Sequence, residues 1–281
     1  MSRKIIFVIS LLFSHSLWAL PLGDFDAISS DFSNPAPQQQ NFDFNGIVKL
    51  SNCSGSVVRF NGQPDETPAL VLTNGHCLGG SFLKPGEVIF NRNVERLMKV
   101  YGRDQKAMNV VAKKIIYATM TNTDMAIYQL QETYLDLQRA GVDALVLSGQ
   151  RPHLLMPIEI ISGYWDLGYR CQIADFIFVL REAEWTFMDS ILYSQNGCRT
   201  KGGTSGSPII DPALREVVGV NNTGNTGGRA CSLHSPCEVN ENGQVFSRKQ
   251  ASYGQQTYWT YSCLTVDFQI DLTLSGCRLP K

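Results

Sequence analysis

From Gly46 onward, short apolar and β-branched runs recur between turn residues: Ile47-Val48, Ser56-Val-Val-Arg-Phe60, Ala69-Leu-Val-Leu-Thr73, Glu87-Val-Ile-Phe90, Val110-Val111 and Lys114-Ile-Ile-Tyr117. Runs of this length and composition predict β-strands. The stretch 131–140 differs, because Leu135, Leu137 and Ala140 stand among polar residues and Gly141 follows, as in a short surface helix or turn. It is read as the connection between two halves. Strand-like runs resume at 158–161, 173–180, 190–193, 208–210, 217–220, 245–246 and 264–266, and no internal repeat has a fixed period. Many short strands in two groups predict an all-β fold built from two small antiparallel barrels.

The N-terminus breaks this pattern. Arg3 and Lys4 precede an apolar run over 5–13, and small and polar residues continue to Ala19. This is the layout of a secretory signal peptide, residues 1–19, with an apolar run about half the roughly 20 residues a spanning helix needs. Residues 20–43, centred on Ser33-Asn-Pro-Ala-Pro-Gln-Gln-Gln40, are polar and contain proline. They predict an extended N-terminal arm or pro-segment without catalytic groups. Residues 44–281 form the expected functional domain: a first barrel at about 44–132, a connection at about 133–150, and a second barrel with a tail at about 151–281.

Composition narrows the picture. A 43% hydrophobic share supports a sizeable core and excludes general disorder. The 24 Lys and Arg balance 25 Asp and Glu without a basic run, which argues against a nucleic-acid partner. All eight cysteines lie beyond the signal, and an even count in an exported chain predicts disulfides. No CxxC pair or HxxxH spacing accompanies them, so neither a metal nor another cofactor is expected. The expected location is secreted or periplasmic, with no membrane association after signal cleavage.

The candidate chemistry begins at Gly202-Gly-Thr-Ser-Gly-Ser-Pro208. With no Cβ at Gly203, the chain can turn so that the amides of Gly203 and Ser205 point to one spot beside the Ser205 hydroxyl, as an oxyanion hole requires. A serine nucleophile needs a base. Of the four histidines, His15 is in the signal and His153 and His234 occupy loop-like sequence, whereas His76 follows an apolar strand and adjoins Cys77. A carboxylate must hold the imidazole tautomer, and Asp124 stands at the mouth of the apolar run Met125-Ala-Ile-Tyr128. The order His76, Asp124, Ser205 has intervals of 48 (124−76) and 81 (205−124) residues.

These residues carry a resemblance. Thr73-Asn-Gly-His-Cys77, Asp124-Met-Ala-Ile127 and Gly203-Thr-Ser-Gly-Ser-Pro208 resemble the histidine, aspartate and serine boxes of the chymotrypsin-like serine peptidases, nearest their bacterial glutamyl-endopeptidase-related branch. The resemblance spans roughly residues 44–250. It implies two six-stranded-type β-barrels with the active site in the cleft between them. It further implies a serine endopeptidase in which Ser205 attacks a peptide carbonyl, His76 serves as base and then acid, Asp124 orients it, and an acyl-enzyme is hydrolysed. The His-Asp-Ser order and Ser207, where a nucleophile elbow has its last glycine, argue against an α/β-hydrolase.

The resemblance also implies a Cys53–Cys77 disulfide, since Cys53-Ser-Gly-Ser56 is similar to the strand whose cysteine bridges to the one beside the histidine. Cys231–Cys237 would then close a small loop, Cys263–Cys277 would pin the tail and Cys171–Cys198 would brace the loop before Ser205. Eight cysteines allow 105 pairings, so these last three stay open.

In the first substrate pocket, the resemblance implies that Asn222, Thr223 and Gly224 form walls and Thr200 lies near the base. Glutamyl endopeptidases have a threonine at the latter place but a histidine where this chain has Asn221, which leaves Arg199 or Lys201 to supply charge for an acidic preference. Thr204 replaces the aspartate that pairs with a freed N-terminus in digestive members, so activation by such an insertion is not expected. The expected partners are polypeptide substrates, with the protein a monomer. The alternatives are a catalytically silent binding module on the same fold, or an esterase-type acyl hydrolase.

Overall fold

The computed structural model describes residues 41–281; the expected signal peptide and all but the last three residues of the expected arm lie outside the described residues. The first barrel comprises β1 (Ile47–Lys49), β2 (Ser54–Arg59), β3 (Pro68–Thr73), β4 (Val88–Tyr101), β5 (Ala107–Thr119) and β6 (Met125–Thr133). Their antiparallel pairing runs β1-β4-β5-β6-β3-β2 and closes through β1 on β2. A ring closed in this way leaves no open edge and points alternate side chains inward. Met98 and Val100 of β4 are buried, for example, while Leu97 and Lys99 face out.

Helix α1 (Tyr134–Arg139) and β7 (Leu145–Leu147) follow. The helix starts three residues later than the beginning of the expected stretch because Gln131–Thr133 stay in β6, and Thr133 caps it in a reciprocal capping box with Asp136. Strand β7 pairs in parallel with β2 of the first barrel, and also with β12 (below) of the second, joining the rings.

The second barrel contains β8 (Pro157–Ser162), β9 (Leu167–Glu182), β10 (Trp185–Tyr193), β11 (Pro208–Asp211) and β12 (Glu216–Gly224). After β13 (Cys237–Val239) and β14 (Val245–Phe246), β15 (Ser252–Gln256) completes it. The order is β12-β11-β8-β9-β10-β15, closed by β12 on β15. The fold is thus all-β with two six-stranded barrels. Strand β13 extends β9 and carries β14 on its other side.

The core is rich in tyrosine: Tyr117, Tyr128, Tyr134, Tyr193 and Tyr253 are almost fully buried. A buried phenol needs a partner for its hydroxyl, and Tyr134 donates to the Val58 carbonyl at 2.6 Å. The four disulfides are Cys53–Cys77, Cys171–Cys198, Cys231–Cys237 and Cys263–Cys277. Among the described residues, no helix is long and apolar enough to cross a membrane.

Two differences from the sequence reading have physical causes. Strand β4 continues through Asn91-Arg-Asn-Val-Glu95 because Arg92 and Asn93, and again Arg96 onward, pair with β5 on either side of a bulge, although the side chains there are mostly exposed. The apolar run 264–266 forms no strand. Val266 is 92% exposed on a tight turn closed by Phe268 N to Thr265 O, and only Leu264 bridges to Ile270.

Candidate active site

Strand β3 ends at Thr73, and the chain turns through Asn74 into one 3₁₀ turn, Gly75–Cys77. Two contacts fix this turn: Asn74 Nδ2 donates to Asp124 O at 2.8 Å just before β6, and the disulfide ties Cys77 to Cys53 just before β2. Gly75 is required because a Cβ there would overlap the Thr119 carbonyl. Asp124 is only 1% exposed. Its Oδ1 accepts from the His76 backbone amide at 3.1 Å and its Oδ2 meets His76 Nδ1 at 2.6 Å. With a carboxylate as acceptor, Nδ1 carries the proton and Nε2 is left as an acceptor in the neutral imidazole.

Burial would lower the His76 pKa, but the charge and hydrogen bond of Asp124, helped by the charge of Glu182, outweigh it, and the net direction is upward. The imidazole keeps a partly open face, with 19% of its side chain exposed.

Ser205 sits between Gly203 and Gly206, both at positive φ. Its loop is anchored to the first barrel by Ser54, whose amide donates to Ser205 O at 2.8 Å and whose hydroxyl donates to Gly203 O at 3.1 Å. The Gly202 carbonyl accepts from Trp165 Nε1 at 2.6 Å, and the Thr204 carbonyl from Ser207 N at 3.0 Å. In a trans peptide the N–H points opposite to the preceding carbonyl. The amides of Gly203 and Ser205 are therefore turned away from these bonds, and neither donates to any group among the described residues.

The Ser205 hydroxyl donates to Asn222 O at 3.1 Å and makes no hydrogen bond to His76. Hydrogen bonds of this kind are often long or unformed without substrate.

His76, Asp124 and Ser205 line one cavity of about 560 Å³, together with Thr200, Asn222, Thr223 and Gly224. Thr200 is held through its amide to Ser252 Oγ at 3.0 Å. Asn222 Nδ2 is buried without a hydrogen-bond partner among the described residues. Of the two cations near this pocket, Lys201 lies over the Trp165 ring at 3.9 Å. Arg199 lines the cavity with no hydrogen bond or ion pair among the described residues.

Several lining residues carry no signal in the sequence. Phe82, Met120, Glu182, Trp185, Phe187 and Leu233 also line the cavity, brought there by the loop before β4, the β5–β6 connection, the β9–β10 hairpin and the Cys231–Cys237 loop. Trp185 Nε1 donates to Leu83 O at 2.8 Å, which docks the hairpin on the first barrel. The one close group of possible metal ligands among the described residues is Cys53, His76 and Cys77. Its two sulfurs are joined as a disulfide and offer no thiolate.

Residues 53–220 match the sequence model of a family described as a trypsin-like peptidase domain. No curated protein sequence matches the chain. Among solved structures, the chain is similar to the MamO protease domain from Magnetospirillum magneticum, at 12% identity and TM-score 0.46, covering 76% of this chain and 93% of that one. It is also similar to a Nocardiopsis protease, at 15% identity and TM-score 0.42, covering 76% and 92%. A Glu endopeptidase is similar at 15% identity and TM-score 0.43, covering 79% and 88%.

Proposed function

The chain belongs to the trypsin-like peptidase family and is a serine-type peptidase, and we propose that it is a secreted or periplasmic endopeptidase in which Ser205, His76 and Asp124 are the catalytic triad. The observation that carries this reading is the 2.6 Å contact of His76 Nδ1 with Asp124 Oδ2 on the same cavity as Ser205. Ser205 Oγ adds to the scissile carbonyl while His76 Nε2 takes its proton. The amides of Gly203 and Ser205 stabilise the oxyanion, and the proton passes to the leaving amine. Water then attacks the acyl-enzyme by the reverse route. The reading calls for no cofactor, and it takes the protein, with its peptidase domain at 44–281, as a monomer. Four disulfides and the N-terminal Arg3-Lys4 with its apolar run support export.

A fluorophosphonate probe tests the triad without knowledge of the substrate. The wild type is expected to label, Ser205→Ala not at all, and His76→Ala at least about a thousandfold more slowly. Absence of labelling in folded, disulfide-intact protein would favour the binding-module alternative, and labelling with turnover of esters alone the esterase. The unpartnered Arg199 supports an acidic residue before the cleaved bond. Cleavage mapping on a mixed peptide pool is expected to enrich Glu and Asp there, and a flat profile at that position overturns it.

A further inference from the structure

Glu182 ends β9 on the same cavity as Thr200 and Arg199, and it is only 6% exposed. Its Oε1 accepts from the His234 amide at 2.7 Å, which fastens the Cys231–Cys237 loop. That task needs one neutral acceptor, and a glutamine would serve. The negative charge is surplus to it.

The cavity that Glu182 lines also has an apolar and aromatic wall. Phe82 and Trp185 meet edge to face at 5.7 Å, and Phe187, Met120 and Leu233 complete the wall. Burial raises the Glu182 carboxyl above its ordinary range; the His234 amide, the Thr223 hydroxyl and the charges of His76 and His234 pull it partly back. Among the described residues, no lysine or arginine acts on it. Buried carboxylates are normally paired, because desolvation without a partner is costly. Here the missing partner has open access through the cavity. Aromatic faces beside a carboxylate add the attraction of their ring quadrupoles for a cation.

We propose that Glu182, with Phe82 and Trp185, forms a second substrate subsite that takes a cationic side chain, arginine or lysine, from a residue upstream of the one held at Thr200 and Gly224. The inference rests on the reading of this cavity as a peptide-binding cleft. It makes Glu182 a specificity residue whose carboxylate meets the guanidinium or ammonium group, and the substrate supplies the charge that the protein leaves out.

The test uses peptide pairs that differ only in arginine or citrulline, placed in turn at each of the three positions upstream of the residue before the cleaved bond. Citrulline keeps the shape and removes the charge. Binding is read by fluorescence anisotropy on Ser205→Ala protein, so the result does not depend on turnover, and kcat/KM is read on the wild type. At one position the arginine peptide is expected to bind about tenfold or more tightly and to be cleaved correspondingly faster, a difference of about 1.4 kcal/mol. Adding Glu182→Gln, which keeps an acceptor for His234 N, is expected to bring the ratio to about one, and Glu182→Asp to retain part of it. Equal binding of arginine and citrulline at every position overturns the proposal without touching the triad. So does a preference that survives Glu182→Gln. Tight arginine-dependent binding without cleavage by the wild type would uphold the subsite and count against the peptidase reading alone.

Discussion

Replacing Asp124 by asparagine is expected to lower kcat/KM by about four orders of magnitude while leaving the fold intact, in line with the loss that follows when a triad carboxylate becomes an amide. The cause is the tautomer. In the wild type, Asp124 Oδ2 is an obligate acceptor at 2.6 Å from His76 Nδ1. An amide turned with its nitrogen toward Nδ1 makes that atom the acceptor and puts the imidazole proton on Nε2, where the base is needed.

The pH profile separates this role from simple packing. His76 acts as a base only when neutral, and its pKa is raised above 6.5 on balance. Wild-type kcat/KM should therefore fall as pH drops through a midpoint above 6.5. In Asp124→Asn the main raising cause is gone while the lowering effect of burial remains, so the acid limb should move to lower pH. A pH-rate profile on both proteins checks this, and an unmoved limb would count against Asp124 as the electrostatic partner. Stability runs the opposite way. A histidine whose folded pKa exceeds its unfolded value stabilises fully below the unfolded pKa, and the contribution is lost as pH rises through the folded one. The pair thus contributes least where the base works best.

The three triad candidates were legible because each depends on local chain geometry. Gly75, Gly203 and Gly206 mark places where a Cβ would collide with backbone or side chain, and such requirements leave a trace in adjacent letters. The wall of the cavity formed by Glu182 and Trp185 left none. Glu182 and Trp185 lie at the tip of a hairpin that meets the first barrel about a hundred residues from Leu83, and nothing near them in sequence announces that contact. The sequence pattern ends β4 at Phe90 for a related reason: Arg92 and Asn93 are kept in the strand by pairing with β5, while hydrophobic alternation reports only strands with a buried face. The run 264–266 misled in the other direction. Its apolar letters sit on an exposed turn within the segment tied by Cys263–Cys277.

The junction between the barrels provides the second large expected effect. Gly206 has φ +82°, and a Cβ there would overlap both the Ser54 carbonyl and Thr73 Oγ1. Ser54 is the residue that holds the nucleophile loop, and Thr73 Oγ1 in turn donates to Ser54 O at 2.7 Å. Gly206→Ala therefore forces apart the contact that positions Ser205. The left-handed backbone costs an alanine about 1–2 kcal/mol, and overpacking adds roughly 1–3 kcal/mol.

The expected total of about 2–5 kcal/mol should lower Tm by roughly 5–15 °C for a domain of this size, with fluorophosphonate labelling slowed at least about a hundredfold by displacement of the nucleophile. Gly79→Ala isolates the backbone share, because Gly79 has φ +89° but open space around the added Cβ. It should lose only the 1–2 kcal/mol of the conformational cost and label at the wild-type rate. Equal losses in the two variants would mean that the strain is local to each turn and that Ser54 does not brace the nucleophile. A much larger loss at Gly206, in labelling as well as in Tm, would mean that the catalytic serine is aligned by the first barrel across the junction, so that folding of both barrels is a condition for the site to exist.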